Sequence, residues 1–371
     1  MAILISRLNV GRFRCLNNLK LENLNHINII AGDNNSGKTS VLEAILLLRQ
    51  PSDFNNILRV ARLRDSYFPL NASPLYESFI NLFSRNVLPT EISIEGVCKG
   101  ERVSLKLSGE QKTIMLAQEE LFQNIPVSLR KERIRNYSDG MESTAFIGSL
   151  ECTLETAEYK QQIEFHSHSR TTGREIGRLT YLDTVYLSPT DHIRGNVFDS
   201  IIRDEVYKEI CVNLLRQFDP EITDIFYQRN VDTNRTVEYI KHSDLGTMPI
   251  STYGDGIKKV LSLASGIARA SNGVLLIDEL ETAIHSRYYD DIFRFVVKAC
   301  KQFQVQVFIT THNLEAIDGL LATQDYSINE ADDISVITVK KESGNKRTYS
   351  RILPGRHVYA NREEFGFEVR L

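Results

Sequence analysis

Residues 27–31 read INIIA, residues 32–39 read GDNNSGKT, and residues 41–50 read VLEAILLLRQ. The first segment is a short apolar run, and the third is apolar nearly all round. The expected local structure is therefore a buried strand, a glycine-rich turn and a buried helix. The turn is a full match to G-x-x-x-x-G-K-[ST]. Gly32 and Gly37 let the backbone curl so that the N–H groups of Asp33, Asn34, Asn35 and Ser36 face one cavity. Lys38 places a cation on the β- and γ-phosphates of a bound nucleotide. The Thr39 hydroxyl is offered to Mg²⁺, with Ser40 beside it, and the helix N-terminus adds partial positive charge.

Three later segments can serve such a site. VLLIDE at 274–279 is an apolar strand ending in two carboxylates. Asp278 is expected to hold Mg²⁺, directly or through water, and Glu279 to polarise the attacking water. FITTH at 308–312 is another buried strand with a polar end. Ligands gather at the C-terminal edges of strands in α/β sheets, which puts His312 within reach of a γ-phosphate. STYGDG at 251–256 opens a helix over 257–270. Its serine and glycines, Ser251, Gly254 and Gly256 with Asp255 between them, are either a helix N-cap or a second anion site. One chain with one phosphate loop leaves that second site for a phosphate held by another copy.

Around these motifs the chain falls into recognisable stretches. Residues 2–10 read as a strand. Residues 51–75 read as a loop with short helices, 91–117 as antiparallel strands, 118–142 as a charged, mixed segment and 145–187 as further strands. Phe198, Ile201, Ile202, Val206, Ile210 and Leu214 fall at helical spacing, and 222–240 looks like a hairpin. Tyr288, Ile292, Phe295, Val296 and Ala299 mark another helix. Alternating strands and helices in this half argue for a parallel sheet. The end of the chain reads as two strands and a tail.

Of 371 residues, 42% are hydrophobic and 25% charged, which suits a folded globular chain and not a disordered one. The net charge of −4 excludes a protein that is basic throughout, so any nucleic-acid contact has to come from a local patch. SLRKERIR at 128–135 reads as a solvated helix face. Residues 336–371, with eight Lys or Arg against four acidic residues, could touch nucleic acid or a partner, but an exposed charged hairpin is the simpler reading. Cys15, Cys98, Cys152, Cys211 and Cys300 form no C-x-x-C pair and are an odd number. They are expected to be reduced thiols of a cytoplasmic protein, neither a zinc site nor a disulfide framework. The longest strongly apolar run, Val41 to Leu48, is too short to span a bilayer.

These motifs, in this order, resemble the ABC-type ATPases. Within them, the N-terminal pattern GRFRCLNNLKL followed by INIIAGDNNSGKTSVLEAI resembles the branch holding the OLD, RecF and SMC-like ATPases. The likeness covers residues 1–50 and about 180–371. It implies an α/β fold: a P-loop ATPase core of mixed or parallel sheet flanked by helices, an N-terminal antiparallel β subdomain, and an inserted helical and β region. The expected organisation is one ATPase domain over 1–371 with the insertion at 51–180. The resemblance also implies that ATP and Mg²⁺ are bound. Ser251 and Gly254, with Asp255 and Gly256, become a signature acting on the partner subunit's γ-phosphate. Glu279 becomes the catalytic glutamate, His312 the switch histidine, residues 281–285 the D-loop, and Arg12 and Arg14 a basic element beside the nucleotide.

Departures from that pattern shape the functional expectation. STYGDG is not the signature of transporters. Gln50 reads as a solvated helix cap and no Q-loop glutamine is placed. Asp332 and Asp333 read as a loop before a strand, and no TOPRIM-type nuclease domain follows. The expectation is an ATPase half without its effector: a dimer or higher homo-oligomer gated by ATP, serving as the sensor or regulator of a prokaryotic anti-phage system with a separately encoded effector such as a nuclease. The alternative is a RecF-like repair ATPase that binds DNA. A scaffold that binds nucleotide without turnover is disfavoured by the intact Glu279 and His312.

Overall fold

The computed structural model describes residues 3–64, 73–84, 90–116, 141–169, 180–194, 197–229, 234–326, 332–341 and 347–370. In chain order the elements are β1 (Ile5–Phe13), β2 (Leu16–Leu21), β3 (Ile27–Ala31), α1 (Lys38–Leu47), α2 (Phe54–Arg62), α3 (Leu75–Ile80), β4 (Thr90–Cys98), β5 (Glu101–Leu116), β6 (Met141–Leu154), β7 (Ala157–His166) and β8 (Thr184–Leu187). There follow α4 (Asp191–Arg194), α5 (Glu205–Leu215), β9 (Ile222–Arg229), β10 (Thr236–His242), β11 (Gly246–Pro249) and α6 (Asp255–Arg269). The chain continues through β12 (Val274–Ile277), α7 (Tyr289–Gln302), β13 (Gln306–Thr310), α8 (Leu314–Leu321), β14 (Ile334–Lys341), β15 (Thr348–Pro354) and α9 (Gly355–Phe365). The basic stretch at 128–135 lies outside the described residues.

The chain divides into two compact units. The first comprises residues 1–7, 21–42 and 182–371. Its six-stranded sheet has the order β15-β14-β3-β13-β12-β8. β3 runs parallel to both β13 and β14, and β12 runs parallel to β13 and β8, leaving β15 as the antiparallel edge. Every residue of β3, β12 and β13 is buried, as expected of parallel strands covered on both faces. A separate three-stranded antiparallel sheet, β11-β10-β9, contains the hairpin expected at 222–240.

The second unit comprises residues 8–20 and 43–181. An antiparallel sheet of order β2-β1-β4-β5-β6-β7 dominates it. β4 alternates buried and exposed positions, the pattern of a strand with one face on a core. That core is aromatic: Phe79 is fully buried, with the rings of Phe54, Phe83, Phe146 and Phe165 edge-on at 5.2–5.4 Å.

Two local expectations are corrected. The helical spacing from Phe198 to Leu214 is a helix only in its second half: α5 holds Val206, Ile210 and Leu214, while Phe198, Ile201 and Ile202 lie before it in turns. Glu238 Oε1 accepts the N–H groups of Val197 and Phe198, and Asp204 caps the helix by accepting from Val206 and Tyr207. Phe198 and Ile201 are buried from turns, so burial imitated a helical period. The final segment is a helix, α9, with Pro354 as N-cap and Gly366 in the left-handed region at φ 61° as its stop. Its only buried side chain is Val358, too little apolar surface to leave a periodic trace.

Candidate functional site

The loop between β3 and α1 is built on backbone that ordinary side chains avoid. Gly32, Asn35 and Gly37 have φ of 150°, 64° and 108°. A Cβ on Gly32 would stand 2.4 Å from the Val339 carbonyl oxygen of the neighbouring strand. Lys38 is buried and bends back over the loop, donating to the Gly32 and Asp33 carbonyls at 2.8 and 2.9 Å. Burial lowers its pKa, opposed by the carboxylates of Glu279, Asp278, Glu281 and Asp33. Asp33, Asn34 and Asn35 are exposed at the tip, while Ser40 is buried in the first turn of α1. No acidic residue sits in that first turn, so the helix's positive end is left for an anion. Ser36 Oγ is buried and, among the described residues, has no hydrogen-bond partner. A cradle with a free donor and a recessed cation fits a phosphate chain.

Asp278 follows β12 directly and is 4% exposed. Its Oδ1 accepts from Thr39 Oγ1 at 3.1 Å and from Thr310 Oγ1 at 2.6 Å, and its Oδ2 from Tyr186 Oη at 3.1 Å. A hydroxyl and a carboxylate side by side form the hard-oxygen set that Mg²⁺ takes, together with phosphate oxygens and water. Glu279 sits in the left-handed region at φ 49°, unusual for its side chain. Its N–H donates to Thr310 Oγ1 at 2.9 Å, and Thr282 Oγ1 donates to its Oε2 at 3.4 Å.

His312, two residues past β13, is half exposed. Its N–H donates to Glu281 Oε1 at 3.1 Å, and its Nδ1 lies 3.2 Å from the same oxygen. Ser251 is exposed in a 3₁₀ turn over 250–252 that precedes α6, Gly254 and Asp255 are exposed at the open start of α6, and Gly256 is half-buried. Gly254 is the N-cap, without a side-chain cap, and a Cβ there would meet open space. Lys259, one turn further along α6, is 2% exposed.

The expected residues thus fall into separate groups. Gly32 to Ser40, Asp278 and Glu279 share hydrogen bonds or charge interactions, and His312 joins Glu281. The α6 start stands exposed. Arg12 and Arg14 belong to the second unit: Arg12 pairs with Glu91 at 3.8 Å, and Arg14 Nε lies 2.7 Å from Glu43 Oε2. Tyr186, Thr310 and Lys259 were given no role by motif, and Glu281 and Thr282 were named only as part of the D-loop segment. Register exposes the first two: Leu187 and Ile309 flank Ile277 in the parallel sheet, so both neighbours end beside Asp278.

Comparison with known proteins adds the family. Residues 27–318 match the family described as "AAA domain, putative AbiEii toxin, Type IV TA system". An ATP/GTP phosphatase of Helicobacter pylori is 22% identical over 87% of this chain and 90% of its own. The DNA replication and repair protein RecF of Shewanella oneidensis is 26% identical over 85% of this chain and 94% of its own. Among solved structures, the Smc head bound to the C-winged helix domain of ScpA superposes with a TM-score of 0.51 at 12% identity, covering 96% of this chain and 100% of that one. That last likeness is one of fold alone: an α/β head with an antiparallel sheet. Among the described residues, no helix is long and apolar enough to cross a membrane.

Proposed function

The chain belongs to this AAA-domain family and is an ATPase of the ABC/AAA type, and from that premise we propose that it works as an ATP-gated homo-oligomeric switch. One observation carries the reading: the Thr39 hydroxyl and the Asp278 carboxylate meet at 3.1 Å beside a buried Lys38. Lys38 grips the β- and γ-phosphates, while Ser36 and the α1 N-terminus add donors to the same oxygens. Thr39 and Asp278 hold magnesium, which supplies charge neutralisation at the terminal phosphates. Glu279 takes a proton from the attacking water, and His312 contacts the γ-phosphate. The exposed Ser251–Gly256 segment completes the site of a second copy, so ATP is buried only when two subunits meet. The whole chain then acts as one ATPase domain, with 51–180 as its insertion.

The biological role we propose is the regulatory ATPase of a prokaryotic anti-phage system of OLD-like type, acting in the cytoplasm on a separately encoded effector such as a nuclease. The toxin–antitoxin wording of the family description supports it. A second reading, a RecF-like repair ATPase that engages DNA, is favoured by the likeness to RecF over 94% of that protein's length.

The chemistry is tested with two variants. Lys38→Ala is expected to abolish ATP binding, whereas Glu279→Gln is expected to bind ATP and lose turnover by roughly 100-fold or more. Wild-type turnover by Glu279→Gln would remove Glu279 from the mechanism.

A further inference from the structure

Glu281 lies three residues beyond Asp278 and is 8% exposed. Among the described residues, its side chain accepts no hydrogen bond from its own loop. Its Oε1 instead meets His312 twice, at the backbone N–H (3.1 Å) and at ring Nδ1 (3.2 Å). A carboxylate oxygen only accepts, so an Nδ1 held 3.2 Å from it favours the ring form with its hydrogen on Nδ1 and leaves Nε2 for another partner. Two contacts to one oxygen fix both the chain and the ring of a half-exposed histidine that would otherwise sample several rotamers.

Glu281 Oε2 is buried and has no hydrogen-bond partner among the described residues. An orphaned carboxylate oxygen is costly unless a cation compensates. The charged form of buried Lys259 is favoured by Glu281, Asp191, Asp278 and Glu279, against a larger opposing effect of its own burial.

We propose that Glu281 is a positioning residue for His312, presenting Nε2 to the terminal phosphate or its water. This rests on the reading of His312 as a γ-phosphate contact. Glu281 touches neither phosphate nor metal; it acts through the imidazole alone.

The test is a double-mutant cycle read by ATP turnover, with Glu281→Ala, Glu281→Gln, His312→Ala and the double Glu281→Ala/His312→Ala. Glu281→Ala is expected to lower kcat about tenfold with KM changed less than about twofold. Glu281→Gln keeps an accepting oxygen and is expected to retain most of the activity. On the His312→Ala background, Glu281→Ala is expected to cost less than about twofold, because its route is already gone. An equal cost on both backgrounds, or Gln no better than Ala, would overturn the proposal while leaving the ATPase reading intact. Wild-type turnover by His312→Ala would overturn the reading of the histidine itself. If Glu281→Ala fails to fold, ¹⁵N NMR of the wild-type imidazole decides: a hydrogen on Nδ1 is expected, and a neutral ring protonated at Nε2 overturns the clamp.

Discussion

The Thr310 hydroxyl gives its hydrogen to Asp278 Oδ1 at 2.6 Å and takes the Glu279 N–H at 2.9 Å, so one side chain orients both acids at the end of β12. Thr310→Val keeps the volume and deletes both bonds. A hydrogen bond to a charged group contributes about 1.5–3 kcal/mol, so kcat is expected to fall roughly 10- to 100-fold. Thr310→Ser restores the hydroxyl and is expected to recover most of that loss. Steady-state turnover of the two variants checks the assignment, and a fully active valine variant contradicts it.

The motifs that sequence alone revealed share one property: each sits where a strand gives way to a loop or helix, and its chemistry is written in consecutive residues. GDNNSGKT, VLLIDE and FITTH are of this kind. What remained hidden was sideways information. Tyr186 reaches Asp278 from β8, about 90 positions away, and only strand register brings them together. Glu281 was visible as part of a segment, but its grip on His312 spans 31 positions. The helix α9 was hidden for the opposite reason, since it buries so little that its sequence keeps no apolar stripe.

The shared-site reading predicts complementation. Ser251→Arg fills the exposed start of α6 and should leave each subunit's own ATP affinity nearly unchanged while abolishing turnover. Mixed with Lys38→Ala at equal amounts, half of randomly formed dimers are hybrids, each with one intact composite site. Roughly a quarter of wild-type activity per protein is then expected. Turnover measured across mixing ratios, with hybrids confirmed by a tag, is decisive; a mixture as inert as its parents argues for a site complete within one chain.

In the second unit, Glu43 is fully buried and serves two guanidinium groups. Arg64 donates to it as a fork, Nε to Oε1 at 2.8 Å and a terminal nitrogen to Oε2 at 2.7 Å, but is 45% exposed and can swing into water. Arg14, 10% exposed, cannot, and burial already lowers its pKa. Glu43→Ala strands that charge and is expected to cost about 3–5 kcal/mol in urea unfolding. The double variant Glu43→Ala/Arg14→Met is expected to recover part of the loss.

Burial pushes the Lys259 ammonium down to about 8 from 10.5, partly offset by Glu281, Asp191, Asp278 and Glu279. Between those pH values the folded chain has released a proton that the unfolded chain still binds. The contribution of Lys259 to stability therefore rises with pH across that window and is flat below it. Lys259→Met removes the effect. The stability difference, wild type minus variant, is expected to grow in favour of wild type from pH 8 toward pH 10.5. Buried thiols at Cys98, Cys152, Cys211 and Cys300, each pushed up to about 12, weaken both proteins alike in alkali and cancel in the difference. Chemical denaturation of both proteins at several pH values tests the slope, and a constant difference would contradict it.

The placement of β3 has a consequence for how the protein is made. Residues 27–31 pair on one side with residues 307–310 and on the other with residues 334–338. The backbone carbonyl that walls Gly32 comes from Val339. During synthesis the phosphate loop therefore emerges some three hundred residues before either of its supporting strands. Until then β3, apolar but for Asn28, has no sheet to join, and ATP has no finished cradle to stabilise. Folding of this unit waits for the far end of the chain, so the nascent protein carries an exposed, aggregation-prone strand through most of translation. Its demand for chaperones is set by where that one strand stands in the sheet.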